Sequence, residues 1–148
     1  MNISIDQSSK IENTNKNTVI AYANSKQKSL LIKAEDKKNL QKIFRNAGKP
    51  EMFIYKTFAV LIFLLIKDDV RTICRITIDI EYTGKEALIK DYLLQLLRKY
   101  RKGFNKENIC FRRIGKKDDA HKVAIETFRG KRKADRQVGY KAVLLYLF

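Results

Sequence analysis

Asp79 and Glu81 stand two residues apart near the end of Ile73-Cys74-Arg75-Ile76-Thr77-Ile78-Asp79-Ile80-Glu81-Tyr82. The stretch alternates β-branched apolar residues with polar ones, and side chains of a strand point alternately to its two faces. Ile76, Ile78 and Ile80 therefore share one face, and Thr77, Asp79 and Glu81 the other. Carboxylates gathered on one face suit a hard cation or a proton transfer, so this strand either carries chemistry or has one wet side. A fully covered central strand reads as continuously apolar, which favours water. Against that, only the far end of the strand is acidic, and α/β sheets bind ligands at the carboxyl ends of their strands.

The other groups suited to chemistry are Asp6, at the carboxyl end of Ile3-Ser4-Ile5-Asp6, and Asp118 and Asp119, at the start of a helical pattern. His121, the single histidine, follows one turn in. Each has a structural reading too. Asp6 before Gln7-Ser8-Ser9 can start a turn by accepting from backbone amides. Asp118 or Asp119 can cap a helix, and His121 can be a hydrogen-bonded surface residue.

The elements that must position these groups follow from period and punctuation. Ile3–Asp6, Thr18–Ala23 and Ser29–Lys33 read as three strands joined by polar turns, an antiparallel meander. From Glu35, Leu40, Ile43, Phe44 and Ala47 recur at helical spacing, with Gly48 as the stop. Pro50 suits the first position of a second helix, and Glu51–Lys67 is apolar nearly all round, as a buried helix is. Thr83-Gly84 ends the acidic strand. Lys85–Lys102 is amphipathic, with Leu88, Ile89, Tyr92, Leu93, Leu96, Leu97 and Tyr100 on one stripe. Ile109–Ile114 reads as a fifth strand, and the helix after it turns Val123, Ala124 and Phe128 inward. Gly130-Lys131-Arg132-Lys133 is a basic break. Ala134–Phe148 reads as a last helix whose apolar end docks on the domain or pairs two copies as a homodimer.

Strand–helix–strand crossovers make the last two strands parallel. The expectation is one α/β domain over residues 1–148: a mixed five-stranded sheet, a three-strand antiparallel meander plus two parallel strands, flanked by helices.

Composition narrows the partners. A 148-residue chain that is 45% hydrophobic can build one core. Its 32 Lys and Arg against 16 Asp and Glu give a formal charge of +16, and half of the basic residues follow Leu97. Such a field attracts polyanions: DNA or RNA first, an anionic membrane surface second, an acidic protein third. A merely solvated basic surface is the plainer reading. Two distant cysteines without metal spacing, and no apolar signal core at the start, point to a reducing, cytoplasmic setting. Phe53–Ile66 is shorter than the roughly 20 residues that span a bilayer, so no integral membrane segment is expected. Gly-rich phosphate loops, Cys/His zinc spacings and a Gly-x-Ser-x-Gly elbow are absent from the sequence.

The element order, with one carboxylate on the first strand, one on the fourth and one at the helix after the fifth, resembles the ribonuclease H-like fold. Within it, RuvC-type nucleases are the nearest likeness. Ile3-Ser4-Ile5-Asp6-Gln7-Ser8-Ser9 is similar to their first motif, a hydrophobic strand ending in Asp before small residues. Ile76-Thr77-Ile78-Asp79 is similar to the second, where that family usually has Glu, and Asp119-Ala120-His121 with Ala124 is similar to the third.

The resemblance implies adjacent first and fourth strands and a Mg²⁺- or Mn²⁺-dependent nuclease that hydrolyses structured nucleic acid with two metals. Carboxylates from separate elements must then converge within a few ångströms. It implies Asp6, Asp79 and Asp119 as ligands, with Glu81 and Asp118 in support, and leaves open whether Asp79 or Glu81 binds. His121 would bind metal, contact the phosphate or move a proton. Arg112, Arg113, Lys116, Lys117, Lys122, Arg129, Lys131, Arg132 and Lys133 would hold flanking phosphates. The alternatives are a nucleic-acid-binding module of the same fold without catalysis, and a peripheral basic interaction protein. A restriction-endonuclease-like fold, using Asp79 and Glu81 with a lysine, is the rival architecture.

Overall fold

The computed structural model describes residues 1–148. Strands β1 (Asn2–Ser8), β2 (Thr18–Ala23) and β3 (Gln27–Ile32) pair antiparallel, as their polar turns require. β4 (Arg75–Asp79) lies parallel to β1, with Ile3 opposite Ile76 and Ile5 opposite Ile78, and β5 (Ile109–Arg112) lies parallel to β4.

A sixth strand corrects the expected count. β6 (Arg136–Val138) pairs parallel with β3, giving the order β5-β4-β1-β2-β3-β6. It falls within the stretch read as a C-terminal helix, of which only the five-residue helix Tyr140–Leu144 forms. Three residues with one apolar side chain carry no strand signal of their own. A distant partner fixes them instead: the Asp135 carboxylate accepts from the Ser29 amide at 2.9 Å, and the Asp135 amide donates to the Ser29 hydroxyl at 3.1 Å.

Five helices flank the sheet: α1 (Ala34–Asn46), α2 (Phe53–Ile66), α3 (Glu86–Leu97), α4 (Asp119–Phe128) and α5 (Tyr140–Leu144). α1 stops where Gly48 turns left-handed at φ 73°, which lets the Lys49 amide return to the Phe44 carbonyl. In α2 only Ile54, Tyr55 and Lys56 escape full burial. At about 1.5–3 kcal/mol for each large apolar side chain removed from water, a helix so composed has to lie in the core.

The two faces of the sheet are covered unequally. One face carries the main core, in which Ile3, Ile5, Ile20, Leu30, Ile76 and Ile78 meet the side chains of α2. On the other face α4 lies over β1, β2 and β3, where Val123 and Ala124 meet Val19 and Ala21. α4 stops short of β4 and β5, and Arg75 and Arg112 there are exposed while Thr77, Asp79 and Cys110 are half-buried.

Lys37 of α1 is fully buried, with its ammonium donating to the carbonyls of Asn13 at 2.7 Å and Lys10 at 3.2 Å and to the Thr18 hydroxyl at 2.8 Å. A charge out of water must be met by such partners, and here it fastens the loop between β1 and β2. Burial lowers its pKa to about 8, partly offset by the Glu12 charge. Lys37→Met keeps the stem but leaves those acceptors unmet, so thermal melting should show a loss of about 3 kcal/mol, roughly 10 °C in Tm. Melting within 2 °C or so of wild type would mean the loop does not depend on Lys37.

Candidate metal centre

The parallel pairing of β1 with β4 sets Asp6 beside Asp79, one residue beyond the Ile5–Ile78 pair. Both point away from the main core by strand alternation, and Glu81, two residues on, returns to the same side. The three carboxylates place ligand oxygens within 4.8 Å of one another and can hold a metal ion. The sequence left Asp79 and Glu81 as alternatives; the cluster contains both.

Their protonation reflects the crowding. Glu81 is pushed up to about 9, first by burial, then by the hydrogen bond and charge of Asp79 and the charge of Asp6. Asp6, 4% exposed, is also raised, chiefly by burial, against the lowering effect of the Gln7 amide and His121. Like charges a few ångströms apart cannot all ionise cheaply. A divalent cation reverses that balance, because ionised oxygens are the ligands a hard cation prefers.

Asp6 has a second partner in His121, whose Nδ1 lies 2.8 Å from Asp6 Oδ2. With the proton on Nδ1 the ring donates to the carboxylate and leaves Nε2 as an acceptor. α4 runs alongside β1 in the same sense, since Asp119 shares a cleft with Asn2 and Ser4 while His121 reaches Asp6. The cleft that joins Asp119 to Asn2 and Ser4 also holds Asp118, and the three-carboxylate cluster includes neither. The residue that α4 brings into contact with the cluster is His121, which meets Asp6. Asp118 is the helix cap, accepting from the Ala120 amide at 2.8 Å.

The basic set divides. Arg112 stands opposite Asp79 in register and on its face of the sheet, and Arg113, Lys116 and Lys117 follow in the exposed connection to α4. Lys122 is exposed on α4 itself. Arg129 and Lys131 come after that helix, while Arg132 and Lys133 line a separate groove with Leu31 and Gln137, and Arg132 pairs with Glu126 at 3.0 Å. Arg75, which the sequence reading left out, joins Arg112 on the uncovered face. Strand alternation from Asp79 would have found it.

Three further residues hold the cluster's surroundings. The Tyr82 hydroxyl accepts from the Ile11 amide at 3.0 Å, contacts the Gln7 side chain at 3.3 Å and donates to Glu12 at 3.2 Å. Lys10 donates to the Glu81 carbonyl at 3.1 Å. Asp79 Oδ1 accepts from the Ile114 amide at 2.6 Å, tying β4 to the segment after β5. These bonds join residues 35 to 75 positions apart, so no local pattern announces them.

No helix is long and apolar enough to cross a membrane. No protein-family model, curated protein or solved structure matches the chain.

The Glu81 shift gives a signed expectation. In metal-free protein the folded state keeps the Glu81 proton up to about pH 9, while the unfolded chain releases it near the ordinary carboxyl value of 4.5. Between those values the folded state binds more protons, so Glu81 makes stability fall as pH rises. In EDTA, Glu81→Gln should therefore melt higher than wild type at pH 8 and converge with it near pH 4. Millimolar Mn²⁺ should raise the wild-type Tm at pH 8 and leave that of Glu81→Gln nearly unchanged. A Glu81→Gln protein that melts lower than wild type in EDTA at pH 8 would contradict the crowding.

Proposed function

We propose that the protein is a Mg²⁺- or Mn²⁺-dependent nuclease of the ribonuclease H-like, RuvC-like type, acting on structured DNA or RNA. The observation that carries this reading is the convergence of Asp6, Asp79 and Glu81 within 4.8 Å at the carboxyl ends of adjacent parallel strands. The adjacent sheet face bears Arg75 and Arg112, and the chain's charge of +16 supports a polyanionic substrate.

Asp6, Asp79 and Glu81 would hold divalent metal, which supplies Lewis-acid polarisation of the phosphoryl group and a nucleophilic water at neutral pH. Asp79 is oriented by the Ile114 amide, and Glu81 by the Lys10 bond to its carbonyl. His121 orients Asp6 through Nδ1, which leaves Nε2 free to accept a proton at the cluster's edge. Arg112, level with Asp79, supplies a guanidinium to a phosphate beside the cleavage point.

Cleavage of branched DNA, single-stranded DNA and RNA–DNA hybrids, assayed with Mg²⁺ or Mn²⁺, tests the reading. At least one substrate should be cut, EDTA should stop the reaction, and Asp6→Asn should lower the rate at least about 100-fold. Inactivity on all three, or full activity in Asp6→Asn, would end it.

A second reading, nucleic-acid binding without catalysis, draws on a carboxylate cluster that does not include Asp119 and on the engagement of Asp79 Oδ1 by a backbone amide. It keeps the basic face as the binding surface. In EDTA, the double variant Arg75→Ala with Arg112→Ala should bind DNA more weakly. Its slope of log affinity against log salt should be shallower by about 2, near 0.9 for each lost phosphate contact. An unchanged slope would remove this face from the interface.

A further inference from the structure

Lys56 is the single charge in α2, within Phe53-Ile54-Tyr55-Lys56-Thr57-Phe58, and it is placed where an apolar residue would continue the core. Its ammonium lies 5.0 Å from the centre of the Tyr92 ring and 5.8 Å from that of Phe148. The ion pairs of the chain are Lys28–Asp68, His121–Asp6 and Arg132–Glu126, so Lys56 has ring faces as partners and no carboxylate.

Lys49 and Lys99, also without a carboxylate partner, line the same half-open groove of about 460 Å³ between α2, α3 and the C-terminal segment. Tyr92, Tyr146 and Phe148 supply aromatic surface, with the Tyr92 hydroxyl donating to the Tyr146 carbonyl and Phe148 63% exposed. This groove belongs to the main-core side of the sheet, away from the carboxylate cluster on the α4 side.

We propose that the groove binds a nucleoside phosphate, with its base against the rings of Tyr92, Tyr146 and Phe148 and its phosphates on Lys49, Lys56 and Lys99. Three lysines lining one groove match a multiply charged phosphate better than the single charge of a carboxylate. Of these rings Phe148 is exposed and Tyr92 and Tyr146 are half-buried, and aromatic rings are sequence-tolerant stacking platforms for a base. A half-open groove would leave much of an acyl chain wet, which disfavours a lipid. The volume lies within the range of small-molecule sites, roughly 300–1,000 Å³. Burial and the neighbouring Lys49 also lower the Lys56 pKa, as expected for cations gathered without a counter-ion.

Calorimetry on the full chain in EDTA tests this with ATP, inorganic triphosphate, decyl phosphate and 5′-phosphorylated pentathymidine. EDTA keeps metal from the carboxylate cluster, so the outcome is independent of whether that cluster cleaves. ATP or the pentathymidine should bind about tenfold more tightly than triphosphate, the worth of one stacked base. The tighter of the two identifies the source as free nucleotide or strand end. Lys56→Met and the exposed Lys99→Gln should each weaken that binding about fivefold with Tm unchanged. Absence of binding, triphosphate binding equal to that of both nucleotides, tighter binding of decyl phosphate, or wild-type affinity in both variants would overturn the proposal.

Discussion

Parallel pairing of β1 with β4 is the constraint on which the carboxylate cluster rests. Neighbouring strands lie about 4.8 Å apart, so side chains at the same level on the same face are forced into contact. Asp6 and Asp79 occupy such a level. The pairing is driven from the other face, where Ile3, Ile5, Ile76 and Ile78 are buried in the main core. Hydrophobic burial on one side thus holds like charges together on the other, and Glu81 accepts the consequence by retaining its proton to about pH 9.

Unequal cover of the sheet turns that cluster into an accessible feature. α4 spans β1 to β3 and closes over Asp6, which is buried against His121. Asp79 and Glu81 are only half-buried, beside a strand pair that no helix covers on this side. The boundary between covered and uncovered sheet therefore runs through the cluster. Arg75 and Arg112 extend the uncovered part as a basic surface. Around it, Tyr82, Lys10 and Lys37 use their polar ends to fasten the β1–β2 loop to the Glu81–Tyr82 segment and to α1, limiting how far the carboxylates can separate.

Much of the fold was legible from residue pattern. The meander, the buried helix around Phe53–Ile66, the amphipathic helix after Gly84 and the acidic strand all form, with ends shifted by a few residues. These are the places where local period and burial agree. The C-terminal stretch failed for the opposite reason: Arg136-Gln137-Val138 becomes a strand because Ser29 and the open edge of β3 recruit it, an interaction across 106 positions. The contact of His121 with Asp6 was not legible, because the sequence shows which residues begin a helix but not the level at which that helix meets the sheet.

The sequence by itself determined which residues are able to do chemistry and which face of each strand they occupy, because strand alternation and helical period are local properties of the backbone. It also determined the basic field, which is a sum over composition. Only the tertiary structure decided that Glu81 joins Asp6 and Asp79, that His121 meets Asp6, and that Lys56 meets aromatic rings without a counter-ion. Those are contacts between elements distant in the chain. Their distances follow from strand register, from the level at which α4 lies against β1, and from how α2 packs against α3 and the C-terminal segment, and none of these is encoded in any one segment.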